Sequence, residues 1–380
     1  MFILTPENKA LQTLAHDAAY EHINPTIVDD ERRGIFRPEI IKKLGALGLT
    51  GIPTAEAYGG SGLGYFEYAL ALSEIARVST SYAISIAVSG LPQVILSQFG
   101  SDTLKKKYIP NLASGDAIGA FSLSESFSGS DAAGLKTKAV KKDGGYVLNG
   151  SKLWATQADS ALETGVIIVF ASTGSGPASQ SISAFAIDRS TKGVHIGKQE
   201  EKMGLNASHT CEIVLENAFV PADHLVGAEN SGFKIAMTAL DSGRITIAAT
   251  AVGLASAALD ASIAYAKERT QFGQPIAQFQ GIQFMLADMF ALKESAKLLV
   301  WQAAQLRDID ATYSTEAATA KFFASDAAMK ITTDTVQIFG GAGYTQDYMV
   351  ERFMREAKVL QIVEGTNQIQ RMVIGRQLTK

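Results

Sequence analysis

Glu364 stands alone as a carboxylate between the apolar stretch Val359 to Val363 and the segment Gly365, Thr366, Asn367, with Arg352, Arg355 and Arg371 flanking it. An isolated acid so placed is a candidate general base. Asn367 with Gln370 three residues later reads as a helix-capping pair, and Ile369, Met372 and Val373 follow at helical spacing. Glu364 therefore just precedes a helix N-terminus. The positive end of that helix favours the ionised carboxylate, whereas burial among Ile362 and Val363 favours the protonated one, so its titration is expected near neutrality. The plain alternative is a capping or first-turn acid on an exposed helix.

Three Gly- and hydroxyl-rich segments could cradle phosphates or a polar ring. Phe121 to Ala132 (FSLSESFSGSDA) offers the hydroxyls of Ser122, Ser124, Ser126, Ser128 and Ser130, although as a bare pattern it could be a turn. Asn149 to Thr156 (NGSKLWAT) reads as a tight turn that presents Trp154 and Thr156 on one side of the next strand. That pairing would suit an aromatic wall plus a hydrogen bond; a Trp buried in a β core is the alternative. Gln337 to Tyr344 (QIFGGAGY) ends a helical pattern in a glycine run whose amides could approach an anion, or which simply caps the helix.

Other chemistries lack their residues. There is no G-x-x-x-x-G-K, no G-x-G-x-x-G after a strand and no G-x-S-x-G, which removes the usual support for P-loop, Rossmann and serine-hydrolase readings. His16, His22, His195, His209 and His224 do not fall at metal-ligand spacing, so no metal site is expected and each reads as a surface or loop residue. The single cysteine, Cys211, allows neither an internal disulfide nor a multi-cysteine metal site, and fits a reducing compartment.

These residues must be positioned by a large fold. With 380 residues, two or three domains are expected, and a chain of this size buries about 70 to 75% of its unfolded surface. Hydrophobic residues at 47%, charged residues at 19% and a net charge of −4 describe an ordinary globular chain without a nucleic-acid footprint. Lys105, Lys106 and Lys107 read as a solvated helix face. The opening MFILTPENK lacks the features of a secretory signal, and a cytoplasmic location is expected. Val78 to Ser101 is uncharged but broken by Pro92 and studded with Ser, and Ile245 to Leu259 is too short for a bilayer, so both read as core helix rather than membrane span.

Residues 1–118 show helical spacing, as in Ile40, Ile41, Leu44 and Leu47, with breaks at Gly48 to Pro53 and Tyr58 to Gly64. Residues 119–230 change to short β-type runs at Lys136 to Val140, Tyr146 to Leu148, Val166 to Ala171, Ile182 to Ile187 and Thr210 to Leu215. Ser172 to Ser181 reads as an exposed hairpin tip. Residues 231–380 return to long helical patterns, Asp241 to Arg269, Ile282 to Arg307, Thr315 to Phe339 and Asp347 to Lys358. The expected fold is α+β and multidomain: an N-terminal helical domain, a middle antiparallel β domain and a C-terminal four-helix bundle.

In order and spacing these segments resemble the acyl-CoA dehydrogenase family of flavoproteins over essentially the whole chain. The most specific match is ERFMREAKVLQIVEGTNQIQRMVIGR, Glu351 to Arg376; AYGGSG at Ala57, GSDAAGLKT at Gly129, LNGSKLWAT at Leu148, DSGR at Asp241 and ERTQFG at Glu268 add to it. The resemblance implies the same three-domain fold, with FAD between β domain and bundle and its pyrophosphate and adenosine reaching a neighbouring subunit of a homotetramer, a dimer of dimers.

By position, the resemblance assigns Leu123, Ser124 and Ser130 to the flavin loop, and Trp154 and Thr156 to the wall and N5 region of the ring. Arg269, Phe272, Gln280, Gln337, Gly340 and Gly341 would hold the diphosphate and adenosine from the partner, and Thr366 and Gln368 would complete the flavin contacts. Ser130, Asp241, Arg244 and Gly365 match acyl-CoA-contacting positions, although Asp241 and Arg244 could also be a simple i,i+3 helix pair. Glu364 matches the α-proton base, with the thioester carbonyl held by its backbone amide and an FAD ribityl hydroxyl. Some relatives carry their base one position before the Arg of the DSGR-type segment; here that position is Gly243.

The implied reaction is dehydrogenation of an acyl-CoA to the trans-2-enoyl-CoA, with electrons passing to an electron-transfer flavoprotein. An enoyl-CoA reductase, an acyl-CoA oxidase or a flavin-binding scaffold on the same fold are the alternatives. DSGR resembles the DMGR-type segment of short-chain members. Two departures from the family pattern, Ser124-Glu125-Ser126-Phe127 for T-E-P-x and Ala155 with Gln157 in the W-I-T-N segment, leave the shape of the flavin loop open. Val363, where Tyr is frequent, alters one wall of the acyl pocket.

Overall fold

The computed structural model describes residues 3–160, 165–174 and 176–380; Met1 and Phe2 of the opening segment and Ser175 of the expected hairpin tip lie outside the described residues. Six helices open the fold: α1 (Pro6–His22), α2 (Ile27–Arg33), α3 (Pro38–Ala46), α4 (Tyr65–Val78), α5 (Thr80–Phe99) and α6 (Asp102–Ala113). Local chemistry sets several of their starts. The hydroxyls of Thr5, Ser79 and Ser101 accept from Asn8, Tyr82 and Leu104 backbone N–H groups, and Glu67 folds back to accept from Gly64 N at 3.1 Å.

The middle region is a sheet of β1 (Ala120–Ser122), β2 (Lys138–Lys142), β3 (Gly145–Thr156), β4 (Val166–Ser172), β5 (Ile182–Asp188), β6 (Val194–Gln199), β7 (Thr210–Pro221) and β8 (Leu225–Val226). Its order is β6-β7-β3-β2-β4-β5-β8, with β1 beside β4. Most pairings are antiparallel, as the alternating runs predict, but β1 lies parallel to β4 (Ala120 opposite Ile167), and Lys138 pairs in parallel with Ser172. The expected turn at Asn149 is absent: β3 runs on through Thr156, absorbing the glycine in one bulge between Leu148 and Gly150 and a second between Lys152 and Ala155. The described part of the 172–181 loop joins antiparallel β4 and β5 and is mostly exposed, as expected.

The C-terminal region contains α7 (Gly232–Glu268), a small hairpin of β9 (Thr270–Gln271) and β10 (Gln274–Pro275), α8 (Gln280–Asp308), α9 (Ser314–Phe339), the single turn α10 (Gly341–Tyr344), α11 (Val350–Leu360) and α12 (Asn367–Leu378). Three of the four long patterns become long helices, whereas Asp347 to Lys358 shortens to α11; both α11 and α12 pack on α9. The first pattern starts nine residues earlier than the periodicity shows, at Gly232, where Phe233 and Met237 face the sheet-side core.

Helix α7 is the axis of the molecule, packed against α4, α5, α8 and α9 and burying Ile245, Ile247, Ala248, Ala249, Ala251 and Leu254. Small residues allow this close approach. A Cβ at Gly253 would stand 2.1 Å from Ser73 O, so only glycine lets α4 lie this near. Both α5 and α7 are long and apolar enough to cross a membrane. For α7 the expected argument from shortness does not hold, because Ile245 to Leu259 is part of a 37-residue helix; the apolar surface of both helices is instead taken up by packing inside the protein.

Candidate active site

The chain crosses from α11 to α12 through a tight turn in which Glu364 (φ 55°) and Gly365 (φ 86°) are both left-handed. For Glu364 this is an unfavourable backbone, costing on the order of 1 kcal/mol, and it persists only because its surroundings hold it. Gln370, fully buried, donates through Nε2 to Glu364 O at 3.0 Å and Gly365 O at 2.8 Å. Lys321, also fully buried, reaches over from α9 and donates through Nζ to Gly365 O and to Asn367 Oδ1, each at 2.9 Å.

This corrects the expected cap. Thr366 is the N-cap of α12, its Oγ1 accepting from Ile369 N at 3.3 Å. Asn367 instead turns inward, donating to Asp326 Oδ1 at 2.7 Å and Ser325 Oγ at 2.9 Å, and Gln370 serves the turn.

The residue Glu364 is half-buried, but its Oε2 is enclosed and has no hydrogen-bond partner. On the facing helix α7, a Cβ at Gly243 would stand 2.6 Å from that oxygen, so the absence of a side chain there leaves the carboxylate its place. Desolvation raises the Glu364 pKa from 4.5 to about 7, opposed by the charges of Arg244 and then Lys321. Lys321 is pushed down from 10.5 to about 7, chiefly by its own burial; Glu364 and Asp326 oppose the fall and Arg244 adds to it.

The flanking arginines expected from sequence are engaged elsewhere: Arg352 stands 3.2 Å from Glu356, Arg355 lies 2.6 Å from Glu351 and Arg371 lies 3.0 Å from Asp326. The cations that act on Glu364 come from α7 and α9. Sequence reasoning passed over Lys321, whose one available signal was a lone lysine on the Ala317, Ala320, Ala324, Ala328 face of α9.

A single turn of α7 carries Asp241 and Arg244 beside Gly243. They form the i,i+3 ion pair, with Ser314 donating to Asp241 Oδ1 at 3.1 Å, while Arg244 Nε is buried without a partner. Burial raises the Asp241 pKa. Arg307 extends the cluster, donating from Nε to Ser242 Oγ at 3.0 Å and lying 3.6 Å over the Tyr65 ring.

On the sheet, the flavin-loop residues come together. Leu153 N donates to Ser124 O at 2.9 Å, and the buried Lys152 donates to Leu123 O at 3.1 Å and to Glu125 at 2.7 Å. Glu125 also accepts from Lys136 N at 2.6 Å and Thr137 N at 3.1 Å. With Glu125 N and O both bonded to Ser128, the loop closes as a tight turn with Ser126 and Phe127 exposed at its tip. The buried Glu125 carboxylate thus fixes the loop shape that the missing proline left open.

Trp154 sits at the second bulge of β3 with φ 59°, and its side chain is 56% exposed. A left-handed, solvent-facing Trp is costly in isolation. With Thr156 half-buried two residues on and Ser122 Oγ enclosed without a partner, this edge fits a flat, polar-rimmed ring such as a flavin. Ser130 is exposed beyond the loop, and Gln368 is exposed on the first turn of α12.

The remaining predicted residues lie elsewhere. Arg269 and Gln280 flank the β9–β10 hairpin and Phe272 sits in its turn; all three are exposed, Phe272 by 94%. Gln337, Gly340 and Gly341 are exposed at the end of α9, joined to the end of α7 by stacking of Tyr265 on Phe339 at 4.0 Å. These two groups share one end of the bundle, but Arg269 stands about 26 residues along α7 from Gly243, roughly 39 Å at the helical rise. One chain does not bring them to Glu364. His209 lies in a loop, as expected, but is half-buried rather than at the surface, with Nδ1 2.7 Å from Asp159 and Nε2 3.2 Å from Gly34 O, and the Asp159 bond raises its pKa.

Profiles of the acyl-CoA dehydrogenase N-terminal, middle and C-terminal domains match residues 5–116, 120–218 and 230–379. The chain belongs to the acyl-CoA dehydrogenase family, whose members are FAD-dependent oxidoreductases. It is 46% identical to an acyl-CoA dehydrogenase of Bacillus subtilis, over 99% of this chain and 98% of that one. The structure of butyryl-CoA dehydrogenase from Megasphaera elsdenii is similar at TM-score 0.97 and 42% identity, each chain covered in full. A chain from the structural study of the electron transferring flavoprotein of Acidaminococcus fermentans matches with the same TM-score, identity and full coverage.

Proposed function

We propose that this protein dehydrogenates a short-chain acyl-CoA to its trans-2-enoyl-CoA, with Glu364 as the α-proton base. The observation that carries the reading is the Glu364 carboxylate itself: Oε2 enclosed, unpartnered, faced by a glycine and titrating near 7. At neutral pH such a group is ionised in a large fraction of molecules, yet basic enough to take a weakly acidic proton. Its left-handed turn aims it from a fixed backbone, which supports the alignment that proton abstraction requires.

Leu123, Ser124, Trp154, Thr156, Thr366 and Gln368 would hold the flavin end of FAD, and bound FAD supplies the acceptor for the β-hydride. Arg244, Asp241, Ser130 and Gly365 would line the acyl-CoA path, with the unpartnered Arg244 Nε as a free donor. The roughly 39 Å between Gly243 and Arg269 supports a site built from two chains, Arg269, Phe272, Gln280, Gln337, Gly340 and Gly341 serving the FAD of a partner. Exposed Phe272, Phe284 and Phe290 around α8 give a homo-oligomer, a tetramer on this reading, its apolar contact surface. The Acidaminococcus likeness supports an electron-transferring flavoprotein as acceptor.

Anaerobic spectra test the reading. Purified protein is expected to be yellow, and butyryl-CoA or a close homologue to bleach the flavin; Glu364→Gln is expected to slow bleaching by roughly 10³-fold or more, near the upper range for a general base. Unchanged bleaching in the variant overturns the assignment. Admission of air after bleaching separates an oxidase, which recolours within turnovers, from a dehydrogenase.

A further inference from the structure

Lys321 is the one lysine of α9 that is fully buried, and its ammonium points at the turn that carries Glu364 rather than at a carboxylate of its own. A buried lysine is expensive unless its donors are used. Here two of its three N–H groups go to Gly365 O and Asn367 Oδ1, the carbonyl just after the base and the first side chain of α12.

We propose that Lys321 is a positioning residue for Glu364, locking the left-handed Glu364–Gly365 turn and setting, through its charge, the pH at which the carboxylate becomes a base. The proposal rests on the assignment of Glu364 as the base. Its mechanical half follows from the carbonyls. A turn with two consecutive left-handed residues aims both carbonyls away from helix partners, and among the described residues Gln370 and Lys321 alone satisfy them. Loss of Lys321 leaves Gly365 O with Gln370 alone and frees the turn from α9.

Its electrostatic half follows from the charges around the pair. Glu364 faces Arg244 from α7 and Lys321 from α9. Lys321 in turn faces Glu364, Arg244 and Asp326, and Asp326 is shared with Arg371 of α12 and with Gln361 Nε2 at 2.7 Å. Arg244 is partly neutralised by Asp241 on the same helix. The charge at 321 is therefore the one that favours ionised Glu364 without an acidic partner within ion-pair distance. Removing it raises the Glu364 pKa, so the acid limb of the rate profile moves to higher pH.

The test measures single-turnover flavin bleaching by butyryl-CoA against pH, with FAD-loaded wild type, Lys321→Gln, Lys321→Met and Glu364→Gln. Lys321→Gln keeps a donor and loses the charge; its acid limb is expected to move up by about one pH unit. Lys321→Met is expected to show the same displacement plus a plateau rate lowered by roughly 10- to 100-fold, the cost of a base misplaced by a fraction of an ångström to an ångström. The concentration of butyryl-CoA at half-maximal rate is expected to stay within about two-fold, because Lys321 lies behind the turn.

An acid limb that stays at the wild-type pH in both variants, with only thermal stability lowered, overturns the proposal while leaving the base assignment intact. Wild-type bleaching by Glu364→Gln overturns the base assignment itself. If neither Lys321 variant retains FAD, Asn367→Leu decides, since it leaves Lys321 but removes one acceptor of its charged form; the limb is expected to move in the same direction by a smaller amount, and an unmoved limb there counts against Lys321.

Discussion

Gly243 of α7 and Glu364 of the turn between α11 and α12 meet although they are 121 positions apart in the chain: a single carbon added to Gly243 would stand 2.6 Å from Glu364 Oε2. The oxygen is the tip of a rotatable side chain, so Gly243→Ala is expected to fold and to displace the carboxylate rather than the helices. The reductive half-reaction is expected to slow by roughly 10² -fold, the effect of about an ångström at a reacting group. Stopped-flow bleaching beside a thermal melt checks this; a wild-type rate shows that the carboxylate works from another rotamer.

The pH dependence follows from burial. Glu364 must be ionised to accept a proton, so the bleaching rate is expected to rise with pH through about 7 and level off above it. Stability runs the other way. The folded carboxyl holds its proton to higher pH than the unfolded one, so its contribution is complete below about 4.5 and is lost as pH rises through about 7.

Glu364→Gln removes that penalty. The interval from 4.5 to about 7, at 1.36 kcal/mol per pH unit, caps the gain at about 3 kcal/mol, and partial exposure lowers it to on the order of 1–2 kcal/mol. Denaturant melts at pH 8 are expected to show the inactive variant as the more stable protein, and at pH 4 to show no difference. Equal stability at pH 8 means that the carboxylate is solvated.

Sequence reading located Glu364 because a lone acid between an apolar run and a helix start is a local pattern. The helical, β and helical textures were legible for the same reason: period 3.6 and period 2 are written in neighbouring residues. What escaped depends on contacts across the chain. Asn367 looks like a cap, but the buried Ser325 hydroxyl and the half-buried Asp326 carboxylate draw its side chain in and leave Thr366 to cap α12. The nearby arginines flank Glu364 in sequence, but helical i,i+4 spacing commits Arg352 to Glu356 and Arg355 to Glu351. The cations that matter, Arg244 and Lys321, are 120 and 43 positions away. The uninterrupted β3 was hidden because a bulge accommodates Gly150 without ending the strand.

Lys152 and Glu125 bind the proposed flavin loop, Leu123 to Ala132, to β3 while both are shielded from water. Burial lowers the Lys152 pKa to about 8; burial pushes Glu125 up, but Lys152 and two backbone N–H groups together outweigh it and hold Glu125 below the usual carboxylate range. Glu125→Gln is expected to cost about 3–5 kcal/mol, because it strands a buried ammonium, and to lower the FAD content. Adding Lys152→Met to it is expected to return part of that stability. FAD-to-protein ratio and denaturant midpoint measure both; a Glu125→Gln protein as stable as wild type refutes the anchoring role.

The two-chain site has a genetic test. Gly243, which faces Glu364, and Arg269 are too far apart along α7 to serve one FAD within a chain, so the proposed site draws Glu364 from one copy and Arg269 from another. Arg269→Ala alone is expected to release FAD on dilution, since a fork of charge-assisted hydrogen bonds to the diphosphate is lost. Glu364→Gln alone is expected to hold FAD and not bleach. Co-expressed in equal amounts, the two variant chains pair at random, and each mixed pair assembles one site with both residues native and one with neither. Bleaching is then expected at about one quarter of the wild-type amplitude, from a preparation in which each chain by itself is inactive. If Arg269 served the FAD of its own chain, no mixed pair would contain a complete site, and the amplitude would stay at zero.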